Sequence, residues 1–235
     1  MHTSPAAAAD EHAQVNPALL HHFATEEQQK NTASLGMWLF LAQEIMFFGG
    51  LFCAYLVYRY RYFGDFGAGS QTLDIRWGAL NTAVLIASSL TVVLAVRAAQ
   101  LGKRKALVSW LLLTIFLGLV FLGIKGIEYA EKFEKHHVPG PSFAFTGTVP
   151  GHPDLPVNPH HAEMYFSLYF AMTGMHALHM IIGVGLFGFL AYMASRGKYT
   201  PGYYTPIENA GLYWHFVDIV WIYLFPLLYL IDRHR

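Results

Sequence analysis

Five long apolar runs dominate this chain of 235 residues. They cover Leu35–Tyr58, Trp77–Val96, Ala106–Ile124, Met164–Ser195 and Asn209–Ile231. A bilayer core about 30 Å thick is crossed by roughly 20 helical residues, and only helices or closed barrels satisfy their backbone hydrogen bonds inside it. Because the runs lack the alternation of period two that marks strands, they indicate helices. The sequence therefore predicts an all-α membrane protein, a bundle of five transmembrane helices.

The composition agrees with this class and limits the function. Hydrophobic residues make up 54% of the chain, only 13% are charged, and the formal net charge is zero. A nucleic-acid-binding protein would need a dominant basic face, so that class is excluded. We divide the chain into a polar N-terminal tail, residues 1–34, and a transmembrane domain, residues 35–235. Within the tail, Pro17–Lys30 predicts a short interfacial helix, and Thr32 or Ser34 is a candidate cap for the first span.

The connections between the runs give a prediction of orientation. The densest group of positive residues lies in the short connection Arg97–Lys105, and short positive loops favour the cytoplasmic side. We therefore expect a cytoplasmic N-terminus. The longest connection, Lys132–Glu163, is rich in proline and should be extended over a surface.

Glu44 is the only charged residue of the first run. A charged side chain near the centre of a span costs about 2.5–3.5 kcal/mol on insertion scales, so intramembrane carboxylates are functional candidates by default. Glu44 is the first candidate site residue.

The other spans also contain polar residues at helical spacing. His215 and Asp218 lie three residues apart on one face, where each can satisfy the other. His176 and His179 share the same spacing, and they could bind a metal, ligate a haem or hydrogen-bond a neighbouring helix. Glu128 stands near the end of the third span. It is either part of a solvated helix end or reaches inward to His176 or His179.

Two further features concern packing. Small residues recur every four positions at Ala83, Ala87, Thr91 and Ala95, which predicts a face that another helix approaches closely. The single cysteine, Cys53, can form neither an intrachain disulfide nor a two-thiolate copper centre, so we expect it to be a packing residue.

Five sequence blocks, taken together and in order, resemble one known family. The blocks are Gly36–Phe48, Leu80–Ser89, Glu128–Glu131, Thr173–His179 and Tyr213–Trp221. They are similar to blocks of subunit III of haem–copper terminal oxidases, above all cytochrome c oxidase. The resemblance covers the chain from about Leu35 to its C-terminus.

The resemblance implies a subunit without catalytic activity of its own, in an oxidase that reduces oxygen to water and pumps protons. No metal or redox cofactor is then expected in this chain, because haem and copper lie in partners, the catalytic subunit I and the copper-bearing subunit II. The family binds phospholipid and sustains proton uptake in a bacterial-type inner membrane. Membership of a respiratory supercomplex stays open.

The resemblance also implies roles for individual residues. Glu44 aligns with the carbodiimide-reactive intramembrane carboxylate of the family. Polar or aromatic residues that align with its lipid-contacting interior are Glu128, His176, His179, Trp214, His215 and Asp218. One departure is clear, since the best-known members have seven spans and this chain begins at what resembles their third. In related five-span forms the missing pair is carried on the catalytic subunit.

Three other interpretations stay open at this stage. Subunit III of a quinol oxidase is the nearest, although Glu at position 44 and the proline-rich connection favour cytochrome c as the electron donor. A b-type membrane cytochrome would use His176 or His179 with His215 as axial ligands. A proton-coupled transporter would use Glu44, His215 and Asp218 as a relay.

Overall fold

The computed structural model describes residues 23–231, which form six helices and one short hairpin. In chain order the elements are α1 (Glu26–Arg61), α2 (Phe63–Gln71), α3 (Ile75–Gln100), α4 (Arg104–Glu134), β1 (Thr148–Val149), β2 (His152–Pro156), α5 (Pro159–Ser195) and α6 (Thr205–Tyr229). All helices except α2 are long and apolar enough to cross a membrane. The prediction of an all-α bundle of five transmembrane helices is confirmed.

The bundle has a four-helix core with one helix added at its edge. Helices α3, α4, α5 and α6 each pack against two neighbours in a closed ring. Among the described elements, helix α1 contacts α5, α6 and the short α2. One face of α1 is therefore packed against the core, and residues 23–231 leave the opposite face uncovered.

The first helix begins earlier than its apolar run. Thr25 caps it, since its side-chain oxygen accepts a hydrogen bond from the backbone N–H of Gln28 at 3.1 Å. Two glutamates in the first turn favour the positive end of the helix dipole. The prediction of a cap at Thr32 or Ser34 is wrong, because polar residues continue the helix beyond the apolar run. Of the predicted interfacial helix, residues 17–22 lie outside the described residues and residues 26–30 belong to α1.

Helix α2 (Phe63–Gln71) lies in a connection for which the residue pattern predicts no helix. Its small residues bring its backbone against α5, where a Cβ on Gly69 would lie 2.4 Å from Cδ1 of Tyr165. The hydroxyl of Ser70 donates to the backbone carbonyl of Leu228 at 2.7 Å, which ties α2 to the end of α6.

The proline-rich connection between α4 and α5 contains the β1–β2 hairpin, whose strands are antiparallel. Gly151 makes the turn with a φ of 79°, a conformation that favours glycine. Phe145 is buried before the hairpin, with its ring centroid 5.6 Å from that of Phe166 on α5.

The stripe of small residues on α3 is only half buried. Thr91 and Ala95 face other helices of this chain, whereas Ala83 and Ala87 are exposed. The stripe as a whole is therefore not a packing face within this chain, because the buried face follows Leu85 and its neighbours at helical spacing. Cys53 is exposed on α1, so it is not packed against the described residues of this chain, and its role as a packing residue stays a prediction.

Candidate functional site

Glu44 lies at the middle of α1, on the side that faces the core, and only 8% of it is exposed. Its Oε2 atom is 3.2 Å from Nε2 of His179 on α5. The other ring nitrogen of His179 is 2.8 Å from the backbone carbonyl of Met175. Phe48 covers the pair, with its ring centroid 5.4 Å from that of His179. The structure thus joins two candidate residues in one buried contact between α1 and α5.

A second buried cluster surrounds Glu128 near the end of α4. Its Oε1 atom is 3.3 Å from Nζ of Lys125 and accepts hydrogen bonds from the hydroxyls of Tyr169 and Tyr229, each at 2.6 Å. Tyr229 also reaches Oε2 at 2.8 Å. Burial of a carboxylate is tolerated when donors and an opposite charge surround it in this way. The cluster holds α4, α5 and α6 together.

Aromatic rings complete the surroundings of Lys125. Its Nζ atom lies between 5.2 and 5.7 Å from the centroids of four rings, a distance at which cation–π attraction operates. The rings belong to Tyr129, Tyr169, Trp221 and Tyr229.

The interpretation that Glu128 reaches His176 or His179 is wrong, and so is the alternative of a solvated helix end. Glu128 is buried with Lys125 three residues before it, and both tyrosine partners come from distant helices. Sequence reasoning missed the tyrosines because Tyr229 is 101 residues away and no local spacing reveals it. The one sequence feature that pointed to a buried ionic cluster is Lys125, which directly follows the apolar run Ala106–Ile124.

His176 lies one turn from His179 and is enclosed by aromatic residues. Its ring centroid is 5.4 Å from that of Phe121 and 5.3 Å from that of Trp221. Among residues 23–231, neither of its ring nitrogens has a hydrogen-bond partner.

His215 and Asp218 do not pair, so that prediction is wrong. Nδ1 of His215 is 2.7 Å from the hydroxyl of Ser89 on α3. Asp218 is only 3% exposed, and its carboxyl oxygens have no hydrogen-bond partner in the described part of the chain. The partner of His215 is therefore a hydroxyl on the neighbouring helix α3. Residue spacing along one helix cannot predict a contact with another helix.

Trp214 binds the core through both its polar and its apolar atoms. Its indole Nε1 donates to the hydroxyl of Ser88 at 3.0 Å. Its ring occupies the space left by two glycines, since a Cβ would lie 2.9 Å from the ring at Gly118 and 2.8 Å from it at Gly183. The residue therefore fixes α6 against α3, α4 and α5.

Two of the grooves on the surface lie between α1 and other spanning helices. One, of about 420 Å³, runs between α1, α5 and α6 and is walled by residues such as Phe40, Leu186 and Phe189. The other, of about 630 Å³, lies between α1, α3 and α6, with Arg97 and Glu208 among its lining residues. In the residues described, no group of three or more His, Cys, Asp or Glu side chains is arranged to hold a metal ion.

Comparison with known proteins identifies the family of this chain. The family described as Cytochrome c oxidase subunit III matches residues 18–146 and 161–232, which include both buried clusters. The chain belongs to this family. As a subunit III, it is part of a complex with other oxidase subunits, and its five membrane-spanning helices make it an integral membrane protein.

Proteins similar to this subunit III are found in several organisms. A probable cytochrome c oxidase subunit 3 of Nocardia farcinica is 33% identical over 86% of this chain and 89% of its own length. The corresponding protein of Corynebacterium diphtheriae is 34% identical over the same shares. The subunit 3 of Marchantia polymorpha is 33% identical over 83% of this chain but 66% of its own length, so that relative is considerably longer.

Proposed function

We propose that this chain is a non-catalytic subunit III of a cytochrome c oxidase, and that the haem and copper centres are held by its partners, subunits I and II. It supports subunit I, binds phospholipid and sustains proton uptake in a bacterial inner membrane, with its N-terminus in the cytoplasm. The observation that supports the proposal is that the buried carboxyl groups of Glu44 and Glu128 have partners within this chain. Glu44 is met by His179, and Glu128 by Lys125 and two tyrosines, which leaves neither carboxyl open to a substrate.

The histidines do not suit a haem-binding function. Both ring nitrogens of His179 are engaged, and the ring of His176 is enclosed by Phe121 and Trp221. A haem between His176 and His215 would have to displace those rings and the contact of His215 with Ser89. The geometry therefore favours a subunit without its own axial ligands.

The polar residues also do not form the relay that a transporter would need. Glu44 contacts His179, His215 contacts Ser89, and Asp218 has no described partner. The three candidate relay residues have separate partners, and among residues 23–231 no chain of side-chain hydrogen bonds joins them. This favours a supporting role over transport by the chain alone.

The two surface grooves support the proposal of bound phospholipid. The groove between α1, α5 and α6 has apolar walls suited to acyl chains, and Lys198 is among its lining residues. Arg97 and Glu208 line the second groove, where a phosphate and an ammonium group would each find an opposite charge. Both grooves lie at the end of the bundle that carries the short positive connections.

The outward face of α1 supports the proposal of contact with a partner subunit. Gln43 is exposed near the middle of this helix, and a Cβ added at Gly36 or Gly50 would meet no atom within 4 Å. An unpaired amide is costly in hydrocarbon, and small residues with a polar side chain are typical of helix interfaces in membranes. The exposed face of α4 presents Leu112, Phe116 and other large apolar residues that suit lipid.

Co-purification tests the proposed function. The chain, tagged and isolated from its native membrane in mild detergent, should bring with it haem- and copper-containing subunits that oxidise reduced cytochrome c. The chain separated from those subunits should show no haem absorption band. A haem that remains with the separated chain would overturn the non-catalytic assignment, and oxidation of quinol but not of cytochrome c would overturn the donor.

A further inference from the structure

Three buried side chains in the four-helix core carry polar atoms that no neighbouring residue satisfies. In the part of the chain that the structure describes, both polar atoms of Asn81, of His176 and of Asp218 lack a hydrogen-bond partner. The three residues are 0, 1 and 3% exposed, and they come from α3, α5 and α6. Buried polar groups are almost always bonded to protein or to ordered water, so a group of six such atoms indicates a ligand.

Trp221 is a common neighbour of the three side chains. Its indole Nε1 donates to the hydroxyl of Thr82, the residue after Asn81 on α3, at 3.0 Å. Its ring centroid is 5.3 Å from that of His176 on α5. Asp218 comes three residues before Trp221 on α6, and residues at this spacing share one face of a helix. The unsatisfied groups therefore lie in one region of the core.

The contacts between α3 and α6 give the distance that a ligand would bridge. Trp214 donates to Ser88 and Trp221 donates to Thr82, so the two helices are antiparallel. The unsatisfied amide of α3 and carboxyl of α6 are then offset by four residues, which is about 6 Å along the helix axis. Two hydrogen bonds of about 2.8 Å each, joined at one water oxygen, span this distance.

The polar groups nearby already have partners of their own. The hydroxyl of Thr82 accepts from an indole and donates to the carbonyl of Gly78 at 2.9 Å. The hydroxyl of Ser88 also accepts from an indole, and it donates to the carbonyl of Leu85 at 2.8 Å. Lys125 on α4 is held by two tyrosines and a glutamate. The three unsatisfied residues therefore need a ligand from outside this set.

Water has the chemistry that these groups require. It donates and accepts, so it can bond an amide, an imidazole and a carboxyl in either protonation state of the ring and the acid. A buried water makes about three hydrogen bonds and at most four, so six polar atoms need at least two molecules. A metal ion fits less well, because no group of three or more His, Cys, Asp or Glu in the described residues is arranged to hold one.

We propose that the four-helix core contains a site for at least two ordered water molecules beside Trp221, bound by Asn81, His176 and Asp218. The waters join α3, α5 and α6 through polar groups that do not reach one another directly. The site depends on this chain's own side chains, so it goes beyond the proposed function and is independent of the electron donor.

Cryo-electron microscopy of the purified oxidase complex, at a resolution that shows ordered water, tests the site directly. We expect at least two water peaks at hydrogen-bonding distance, about 2.7–3.2 Å, from polar atoms of the three residues. Thr114→Val is the matched control, because Thr114 is also buried in the core but its hydroxyl is 2.7 Å from that of Thr91. The water peaks should persist in that variant.

Asn81→Leu gives a second readout, the unfolding temperature of the subunit in the complex. Leucine resembles asparagine in shape but has no polar atom, so it would stabilise the core if the amide had no partner. With the amide bonded to water, the variant should unfold at a lower temperature. Asp218→Leu should then cost less in the Asn81→Leu background than alone, because both residues bind the same waters.

Several results would overturn the inference. These are a core without water peaks, direct hydrogen bonds among the three residues, or a single peak at metal-like distances of about 2.0–2.6 Å. A higher unfolding temperature in Asn81→Leu, or strictly additive losses in the double variant, would also contradict it. If Asn81→Leu does not assemble, Asn81→Ala replaces it, and its map should show an additional water where the amide was. An empty space at that position would count against the site.

Discussion

At the scale of single residues, Lys125 is a buried cation whose charge must be compensated by its neighbours. It is buried beside Glu128 and ringed by aromatic residues. Removing one partner of a buried ion pair leaves the other charge uncompensated, which costs about 3–5 kcal/mol. Lys125→Met should therefore lower the stability of the subunit by roughly that amount, measured as loss of folded chain in detergent denaturation.

A double variant provides the control for Lys125. Lys125→Met combined with Glu128→Gln removes both charges, and the amide oxygen of the new glutamine can still accept from the hydroxyls of Tyr169 and Tyr229. The double variant should be more stable than Lys125→Met alone. Equal loss in both would mean that packing of the lysine side chain, and not its charge, stabilises the cluster.

His137 lies outside the membrane-spanning helices and predicts a pH dependence. Burial, followed by the charges of Lys132 and Lys135, lowers the pKa of His137 from 6.5 to about 4. When the connection opens, the ring regains its ordinary pKa, so opening takes up a proton below pH 6.5. The closed connection should therefore lose stability as the pH falls from 6.5 toward 4, seen as lower hydrogen-exchange protection at residues 136–147 once each rate is divided by the intrinsic amide rate at that pH.

A phenylalanine at this position gives the matched control. The ring of His137 packs against Phe145 and Phe166, with centroids 5.2 and 5.0 Å away, so His137→Phe keeps the contacts and removes the titration. In His137→Phe, hydrogen-exchange protection at residues 136–147 should no longer fall as the pH is lowered from 6.5 toward 4. An unchanged acid response would show that another group opens the connection.

The candidate residues show what sequence reasoning reaches at this scale. Glu44 could be found because one charge in an apolar run is visible without any partner. Its partner His179 could be named as a candidate but not assigned to it, since the two are on different helices. For the same reason the spacing predicts a pair of His215 and Asp218, whereas in the structure His215 contacts Ser89 on another helix.

At the scale of helices, α6 is fixed by Trp214 between two glycines. A Cβ at Gly183 would lie 2.8 Å from Cζ3 of Trp214 and 3.2 Å from the Tyr213 ring. Overpacking of a well-filled core costs about 1–3 kcal/mol, so Gly183→Ala should lower the thermal stability of the subunit. Gly185→Ala is the matched control, because a Cβ there would meet nothing within 4 Å. Equal stability of the two variants would contradict this packing.

The elements that could be predicted from the sequence are the five helices marked by long apolar runs. Five apolar runs identified five long helices, although α1 starts nine residues before its run because polar residues extend it. Helix α2 was missed, since its glycines and small residues show no periodicity and its structure depends on contact with Tyr165. The β1–β2 hairpin was missed because prolines in its second strand indicate an extended chain and not a pairing.

At the scale of the whole molecule, the uncovered face of α1 predicts how the oxidase assembles. Gln43→Leu removes the exposed amide from this face and should weaken retention of the chain in the purified complex, because a hydrogen bond across helices is lost. Leu119→Met on the exposed face of α4 is the control and should leave retention unchanged. If both variants are retained like wild type, the partner does not bind at Gln43.

The proposed function is support of an oxidase whose haem and copper centres lie in other subunits. The most direct measurement is to remove the chain from the purified oxidase and follow haem and copper content, oxygen consumption and proton uptake during turnover. We expect unchanged haem and copper, and an active enzyme that takes up protons more slowly and loses activity sooner. Loss of haem or copper in proportion to the chain removed would contradict it.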